Sequence, residues 1–194
     1  MLKAKVAVIL AGGKSSRMQT DKALLPFGAY NSLAEYQYRR LSSLFEKVYL
    51  SSKENKFDFE VEIISDVHND ASPLVALVSI FETLDIDEVF VLSVDAPFVN
   101  KEVIKRLYEA KALDVDVVIA KSLKGVEPLC AIYHRSFLAK AKQALEANRH
   151  RLQSLLDSLK VKQVMIEEER FFMNLNYPQE YEEAQAQSRL TLLS

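Results

Sequence analysis

The chain has 194 residues, of which 49% are hydrophobic and 27% charged, and its formal net charge is −2. This length suits one folded domain with a substantial core, and the composition excludes a largely disordered chain. The slightly negative charge argues against a protein that binds nucleic acid through overall electrostatic attraction, so we expect no nucleic-acid partner.

The cysteine content and the apolar runs exclude further classes of protein. Cys130 is the only cysteine, which excludes an internal disulfide and a cysteine-rich metal site. The apolar run at 6–10 is too short for the core of a signal peptide, and no run approaches the roughly 20 residues that cross a bilayer. We therefore expect a cytoplasmic protein that does not associate with membranes.

Strand and helix patterns alternate along almost the whole chain. Runs rich in apolar and β-branched residues predict strands at 6–10, 47–50, 61–64, 88–94, 115–120, 129–133 and 161–166. Apolar residues at helical spacing predict helices over 33–44, 74–81, 103–108, 137–145 and 152–159. Ser72 and Asn100 are predicted N-caps, and Pro178 opens a last helix.

This alternation predicts an α/β fold with three layers, built on a mostly parallel, doubly wound (Rossmann-like) sheet with helical crossovers on both faces. Because no repeat or linker divides the chain, we expect residues 1–194 to form a single domain. Ligands of such folds bind outside the carboxyl ends of the strands.

A glycine-rich segment follows the first predicted strand, in the sequence AVILAGGKSSRMQTDKALLP. Gly12 and Gly13 permit a positive φ and let backbone N–H groups approach phosphate oxygens closely. Arg17 can donate to two phosphate oxygens at once, and Lys14 and Lys22 bring the number of cations in the segment to three. The segment lacks the spacing of a P-loop or a dinucleotide-binding loop. It predicts a phosphate-binding loop, and the alternative is a surface turn with solvated cations.

A carboxylate follows the strongest strand pattern, in the sequence VFVLSVDAPFV. Asp95 would lie at the same edge of the sheet as the glycines, where it could hold Mg²⁺ against nucleotide phosphates. The alternative is that Asp95 only caps a turn, as aspartate before X-Pro often does.

The stretch LAGGKSSRMQTDKALL resembles the signature of the molybdenum cofactor guanylyltransferase family of the nucleotidyltransferase superfamily. The D-x-P sequence at Asp95 and the segment EIISDVHNDASPL resemble two further motifs of that family. The resemblance implies that Arg17, Lys22 and Asp95 are catalytic and that Asp95 ligates Mg²⁺. It implies nucleotide binding by Leu10, Ala11, Gly12, Gly13, Lys22, Ser51, Asp66 and Asp95.

Two later stretches, EPLCAIYH and FFMNLNYPQEYEEA, resemble the part of the family that binds the acceptor. They match Asn174 and Asn176 to two asparagines that the family associates, together with the arginine at Arg17, with molybdopterin. The alternative for both asparagines is ordinary turn chemistry ahead of the helix that opens at Pro178.

The resemblance implies an enzyme that transfers GMP from GTP to the terminal phosphate of the molybdopterin cofactor and releases pyrophosphate. It also implies Mg²⁺ as the cofactor and transient contact with molybdoenzymes or their chaperones. One alternative is a cytidylyltransferase or sugar-phosphate nucleotidyltransferase of the same fold. Another is a non-catalytic GTP-binding module.

Overall fold

The computed structural model describes residues 4–12, 21–67, 72–175 and 177–191. Within these ranges one sheet contains seven strands: β1 Ala4–Leu10, β2 Phe45–Ser51, β3 Glu62–Ile64, β4 Glu88–Ser93, β5 Val117–Ser122, β6 Gly125–His134 and β7 Val161–Met165. The α-helices of the same ranges are α1 Leu33–Ser42, α2 Pro73–Thr83, α3 Lys101–Glu109, α4 Phe137–Glu146, α5 Leu152–Leu156 and α6 Pro178–Thr191. Short 3-10 helices span Lys22–Leu24 and Glu169–Phe172.

The strands lie in the order β3-β2-β1-β4-β6-β5-β7. Every pairing is parallel except those of β6, which runs antiparallel to both β4 and β5. The predicted mostly parallel α/β sheet is therefore confirmed, and β7 joins it as an edge strand beside β5.

The reversed strand β6 is a feature that the alternating pattern did not predict. It begins at Gly125 rather than near residue 129, directly after a tight connection from β5. Gly125 has φ 143°, a backbone conformation that side-chain-bearing residues rarely adopt. A hairpin therefore replaces the helical crossover that the pattern predicts at this point.

The core consists of two apolar layers, one on each face of the sheet. In β1, Ala7 and Ile9 pack into the layer under α1, α3 and α6, whereas Val8 and Leu10 pack into the layer under α2, α4 and α5. A strand covered on both faces needs apolar residues at every position, which explains the continuous apolar run in the sequence. Cys130 is 2% exposed and belongs to the first of these layers.

Two predicted caps set where helices begin. The Ser72 hydroxyl accepts a hydrogen bond from the Val75 N–H at 3.2 Å, with Pro73 in the first turn of α2. The Asn100 side chain accepts from two N–H groups at the start of α3. The cap at Ser72 places the amino end of α2 beside the carboxyl ends of the strands. No helix in the described ranges has the length and apolar character that a membrane span requires.

Candidate functional site

A cleft of about 390 Å³ opens at the carboxyl edge of the sheet. Its walls come from the ends of β1, β2 and β4, the residues after β3, the amino end of α2 and one residue of β6. The lining residues are Leu10, Gly12, Ser51, Ser52, Lys53, Asp66, Ser72, Pro73, Ala76, Ser93 and Leu129. This is the edge at which an open α/β sheet binds its ligand.

Hydrogen bonds at the end of β1 hold the beginning of the glycine-rich segment. The Val94 N–H donates to the Leu10 carbonyl at 3.1 Å, and the Ala11 N–H donates to the Ser51 carbonyl at 2.9 Å. Because the Ala11 N–H is already used, a row of backbone donors facing a ligand would begin at Gly12. Ala11 is 3% exposed, and its backbone N–H bonds to the neighbouring strand rather than facing the cleft.

Gly12 lines the cleft. Its φ is not positive, so this glycine does not use the left-handed backbone freedom that the sequence permits at this position. A Cβ added to Gly12 would lie 3.8 Å from the Ser51 carbonyl oxygen, which is ordinary contact. The remaining reason for glycine is close approach of a ligand to the backbone. Gly13 lies outside the described residues.

Lys22 and Asp95 meet beside this cleft. The Lys22 Nζ atom lies 3.3 Å from Asp95 Oδ2, and the two side chains are 14% and 22% exposed. The Ser93 hydroxyl, whose residue also lines the cleft, donates to Asp95 Oδ1 at 2.6 Å. The carboxylate is thus held on both oxygens, by a cation and by a neutral donor, at the end of β4.

The 3-10 helix that carries Lys22 is held by polar contacts. Asp21 caps it by accepting a hydrogen bond from the Ala23 N–H at 3.0 Å. Lys56 forms an ion pair with Asp21 and donates to the Ala11 carbonyl at 3.3 Å. Sequence reasoning did not find Lys56, because it lies in an irregular segment and matches no motif.

Ser51 and Asp66, which the resemblance matches to nucleotide-binding residues, both lie on the wall of the cleft. Ser51 ends β2 and is 3% exposed, and Asp66 follows β3 and is half-buried. The Ser52 N–H donates to the Ile64 carbonyl at 3.1 Å, which joins the ends of these two strands. The structure therefore brings Ser51, Asp66 and Gly12 together around one cavity.

The segment after β7 returns to the same edge of the sheet. The Leu175 N–H donates to the Asp95 carbonyl at 3.0 Å, and Leu175 is 1% exposed. This bond places Asn174, which is half-buried, on the chain segment beside Asp95. Arg17 and Asn176 lie outside the described residues.

Glu127 is a further acidic residue that sequence reasoning did not single out. It lies on β6 and accepts a hydrogen bond from the Ser122 hydroxyl at 2.9 Å. Burial raises the pKa of Glu127, and the negative charges of Glu169 and Asp95 raise it further. The only signal in the sequence was its place before the Pro-Leu pair of the EPLCAIYH stretch.

The residues at the end of β4 suit a divalent metal ion. No cluster of three or more potential His, Cys, Asp or Glu ligands occurs among the described residues. The end of β4 offers a single carboxylate, Asp95, beside the Ser93 hydroxyl. Mg²⁺ is commonly held by one or two carboxylates and completes its shell with water and substrate phosphates. A partly exposed carboxylate beside a cleft fits that pattern.

A second cavity, of about 550 Å³, lies between α4 and α5. Lys140, Arg149, His150 and Arg151 contribute to its lining, and none of these residues lines the cleft at the strand ends. Lys140 donates to the Ser158 carbonyl at 2.8 Å, so part of this basic group holds the two helices together.

Comparison with known proteins identifies relatives over most of the chain. The family model of the MobA-like NTP transferase domain matches residues 7–164. A molybdenum cofactor guanylyltransferase of Campylobacter jejuni is 38% identical over 184 residues, which cover 94% of this chain and 96% of that protein.

Two solved structures share the fold. The molybdopterin-guanine dinucleotide biosynthesis protein A of Archaeoglobus fulgidus superimposes with a TM-score of 0.81 at 22% identity, over 93% of this chain and 97% of that one. The 2-C-methyl-D-erythritol 4-phosphate cytidylyltransferase of Thermus thermophilus gives a TM-score of 0.72 at 17% identity, over 95% and 99% of the two chains. At these identities the structures show the fold alone. The fold is therefore shared by proteins named for guanine and for cytidine nucleotides.

Proposed function

Because this chain belongs to the MobA-like NTP transferase family, we propose that it transfers GMP from GTP to the terminal phosphate of the molybdopterin cofactor. The products are the guanine dinucleotide cofactor and pyrophosphate. The observation that carries the proposal is the Lys22–Asp95 pair beside a cleft at the carboxyl ends of the strands. The 38% identity to a protein named molybdenum cofactor guanylyltransferase supports the choice of substrates.

The nucleotide occupies the cleft in this proposal. Leu10, Gly12, Ser51 and Asp66 line it. Gly13, the next residue in the sequence, is proposed to bind the nucleotide as well. Ala11 acts here by holding the start of the loop against β2. In this proposal the part of the chain from β1 to β4 binds the nucleotide.

Asp95 is the residue that would hold the metal ion, which we propose is Mg²⁺. When bound there, the ion would neutralise negative charge on phosphate oxygens of the nucleotide. The Ser93 hydroxyl and Lys22 orient the carboxylate. Lys22, beside Asp95, would also neutralise charge on these phosphates.

The chain needs no nucleophile of its own for this reaction. The acceptor's terminal phosphate attacks the α-phosphorus of GTP in line, and the bond from that phosphorus to the pyrophosphate leaving group breaks. Catalysis then depends on positioning and on neutralisation of charge by Lys22 and Arg17.

The second part of the proposal concerns the residues that bind the acceptor, molybdopterin. Asn174 follows β7 and lies next to the segment bonded to Asp95. With Asn176 and Arg17, it would bind molybdopterin, since an amide offers both a donor and an acceptor to a pterin and its phosphate. We propose that residues 1–194 form one domain, with its C-terminal part serving the acceptor.

The experiment that tests the function compares pyrophosphate release from GTP and from CTP, with molybdopterin and Mg²⁺ present. We expect release from GTP only when both acceptor and metal are present. Preferential use of CTP, or of a sugar phosphate as acceptor, would assign the chain to another transferase of this fold. GTP binding without turnover would identify a non-catalytic GTP-binding module. The protein would act in the cytoplasm and pass its product to molybdoenzymes or their chaperones.

A further inference from the structure

Gln37 is a fully buried polar residue on the otherwise apolar inner face of α1. It is 0% exposed, as are Leu33, Ala34 and Leu41 on the same helix. Burying an amide costs free energy unless its donors and acceptor are satisfied. An apolar side chain would pack at this position without that cost. The hydrogen bonds of the Gln37 amide therefore indicate its structural role.

The Gln37 amide faces the turn that carries Asp95. Its Nε2 atom donates to the Ala96 carbonyl at 3.0 Å and lies 3.4 Å and 3.5 Å from the carbonyls of Val94 and Ser93. These carbonyls belong to the residues on both sides of Asp95. One side chain from a helix thus holds the backbone before and after the carboxylate.

Arg40 determines which way the Gln37 amide points. Its guanidinium donates to the Gln37 Oε1 atom and to the Val99 carbonyl. Because an arginine offers only donors, the amide oxygen must face Arg40 and the amide N–H groups must face the turn. Arg40 therefore makes Gln37 a donor toward the turn of Asp95.

Helix α1 also holds the segment that carries Lys22, which forms the ion pair with Asp95. The Leu33 N–H, at the start of α1, donates to the Leu25 carbonyl at 2.7 Å, directly after the 3-10 helix that carries Lys22. Gln37, one turn further along α1, holds the segment of Asp95. Helix α1 is thus a common support for both residues of the ion pair.

From these contacts we propose that Gln37 is a positioning residue that sets the direction of the Asp95 carboxylate by holding the backbone on either side of it. The inference rests on the proposed function, in which Asp95 holds a divalent ion. Gln37 itself touches neither substrate nor metal. Its loss should weaken metal binding and slow transfer, while the affinity for the acceptor remains close to that of the wild type.

The test compares Gln37→Met, which keeps the volume but removes the amide, with Leu41→Ala as a control of buried packing on the same helix. Mn²⁺ binding in the presence of GTP is followed by electron paramagnetic resonance of the free ion, and guanylyl transfer is measured separately. Both assays are run at a temperature at which circular dichroism shows each variant folded.

We expect Gln37→Met to weaken Mn²⁺ binding about fivefold or more and to lower kcat about tenfold, with little change in the KM for molybdopterin. Leu41→Ala should lower the melting temperature. Its Mn²⁺ affinity and its kcat should stay near those of the wild type. If Gln37→Met loses only thermal stability, its role is merely structural and the inference is overturned. Absence of transfer in the wild type would instead count against the proposed function, and the Mn²⁺ measurement would still decide the role of Gln37.

Discussion

The Lys22 ammonium lies 3.3 Å from the Asp95 carboxylate, although 73 positions separate the two residues in the chain. Lys22 comes from a 3-10 helix within the glycine-rich segment, and Asp95 comes from the turn after β4. Their meeting places a cation and a carboxylate together at the edge of a cleft, as a triphosphate with its metal ion requires.

Lys22→Ala and Asp95→Asn should each fold normally and lose guanylyl transfer. Removing a well-placed charged group costs on the order of 3 kcal/mol in the reaction barrier, which is a few hundredfold in rate. The measurement is pyrophosphate release from GTP with acceptor and Mg²⁺ present. Lys47→Ala is the matched control, because Lys47 forms an exposed ion pair with Glu62 at 3.0 Å. Full activity in either site variant would refute the assigned role.

Ser93→Ala should reduce activity without unfolding the protein. The Ser93 hydroxyl donates to Asp95 Oδ1 at 2.6 Å, so its removal leaves one carboxylate oxygen free to reorient. A hydrogen bond to a charged group contributes about 2 kcal/mol, which corresponds to roughly a thirtyfold change in rate. The control is Ser42→Ala, which removes an exposed hydroxyl bonded to the Tyr38 carbonyl. Equal rates in the two variants would contradict the prediction.

Asp116→Asn should destabilise the protein at neutral pH. Asp116 is 8% exposed and accepts hydrogen bonds from the Ser136 hydroxyl at 2.6 Å and the Lys160 N–H at 2.9 Å. Burial opposes the charged form, but these hydrogen bonds and Lys140 outweigh it and lower the pKa of Asp116. A lowered pKa in the folded state stabilises the fold above the ordinary aspartate range, and this stabilisation is lost as the pH falls through the lowered value.

The free energy of unfolding should therefore fall by about 1–3 kcal/mol in Asp116→Asn at pH 7. The difference from the wild type should shrink in strong acid. Denaturant unfolding across pH measures both effects. Asp114→Asn serves as the control, because the Asp114 side chain is 88% exposed and pairs with Lys160 at the surface. A loss of stability as large in Asp114→Asn would contradict the prediction.

Glu127→Gln should change the stability of the protein in the opposite direction to Asp116→Asn: it should stabilise the fold at neutral pH. Burial raises the pKa of Glu127, so the ionised form is disfavoured in the folded state. A raised pKa gives stability that is fully present below the ordinary glutamate value, about 4, and is lost as the pH rises through the folded-state value. The glutamine variant should thus melt at a higher temperature than the wild type at pH 7, with the difference vanishing near pH 4. Melting temperatures are measured from pH 4 to pH 7. If the difference in melting temperature between the variant and the wild type does not change with pH, the raised pKa of Glu127 is not its cause.

Much of the fold could be predicted because its signals are local. The apolar run of β1 and the caps at Ser72 and Asn100 depend on neighbouring residues alone, and each lies where the pattern indicated. The reversal of β6 could not be predicted in this way, because an isolated apolar strand carries no mark of its direction. Gly125 was the only local sign of the hairpin.

For the candidate site, local sequence patterns singled out the residues of recognisable motifs and missed those that support them. Lys22, Asp66 and Asp95 were found by their place after strands or within known motifs. Lys56 and Gln37 were not found, since their contacts are with backbone and side chains far away in the chain. A polar residue on an apolar helix face was the only signal for Gln37.

By itself, the sequence determined the alternating elements, the apolar strands of a sheet covered on both faces, and the family to which the chain is similar. These properties follow from propensity, periodicity and short motifs, which act over a few residues. Only the tertiary structure decided that Lys22 and Asp95 are in contact and that Gln37 holds the turn between Ser93 and Ala96. Such contacts depend on which strands become neighbours in the sheet, and that order is set by the packing of the whole core rather than by any one segment.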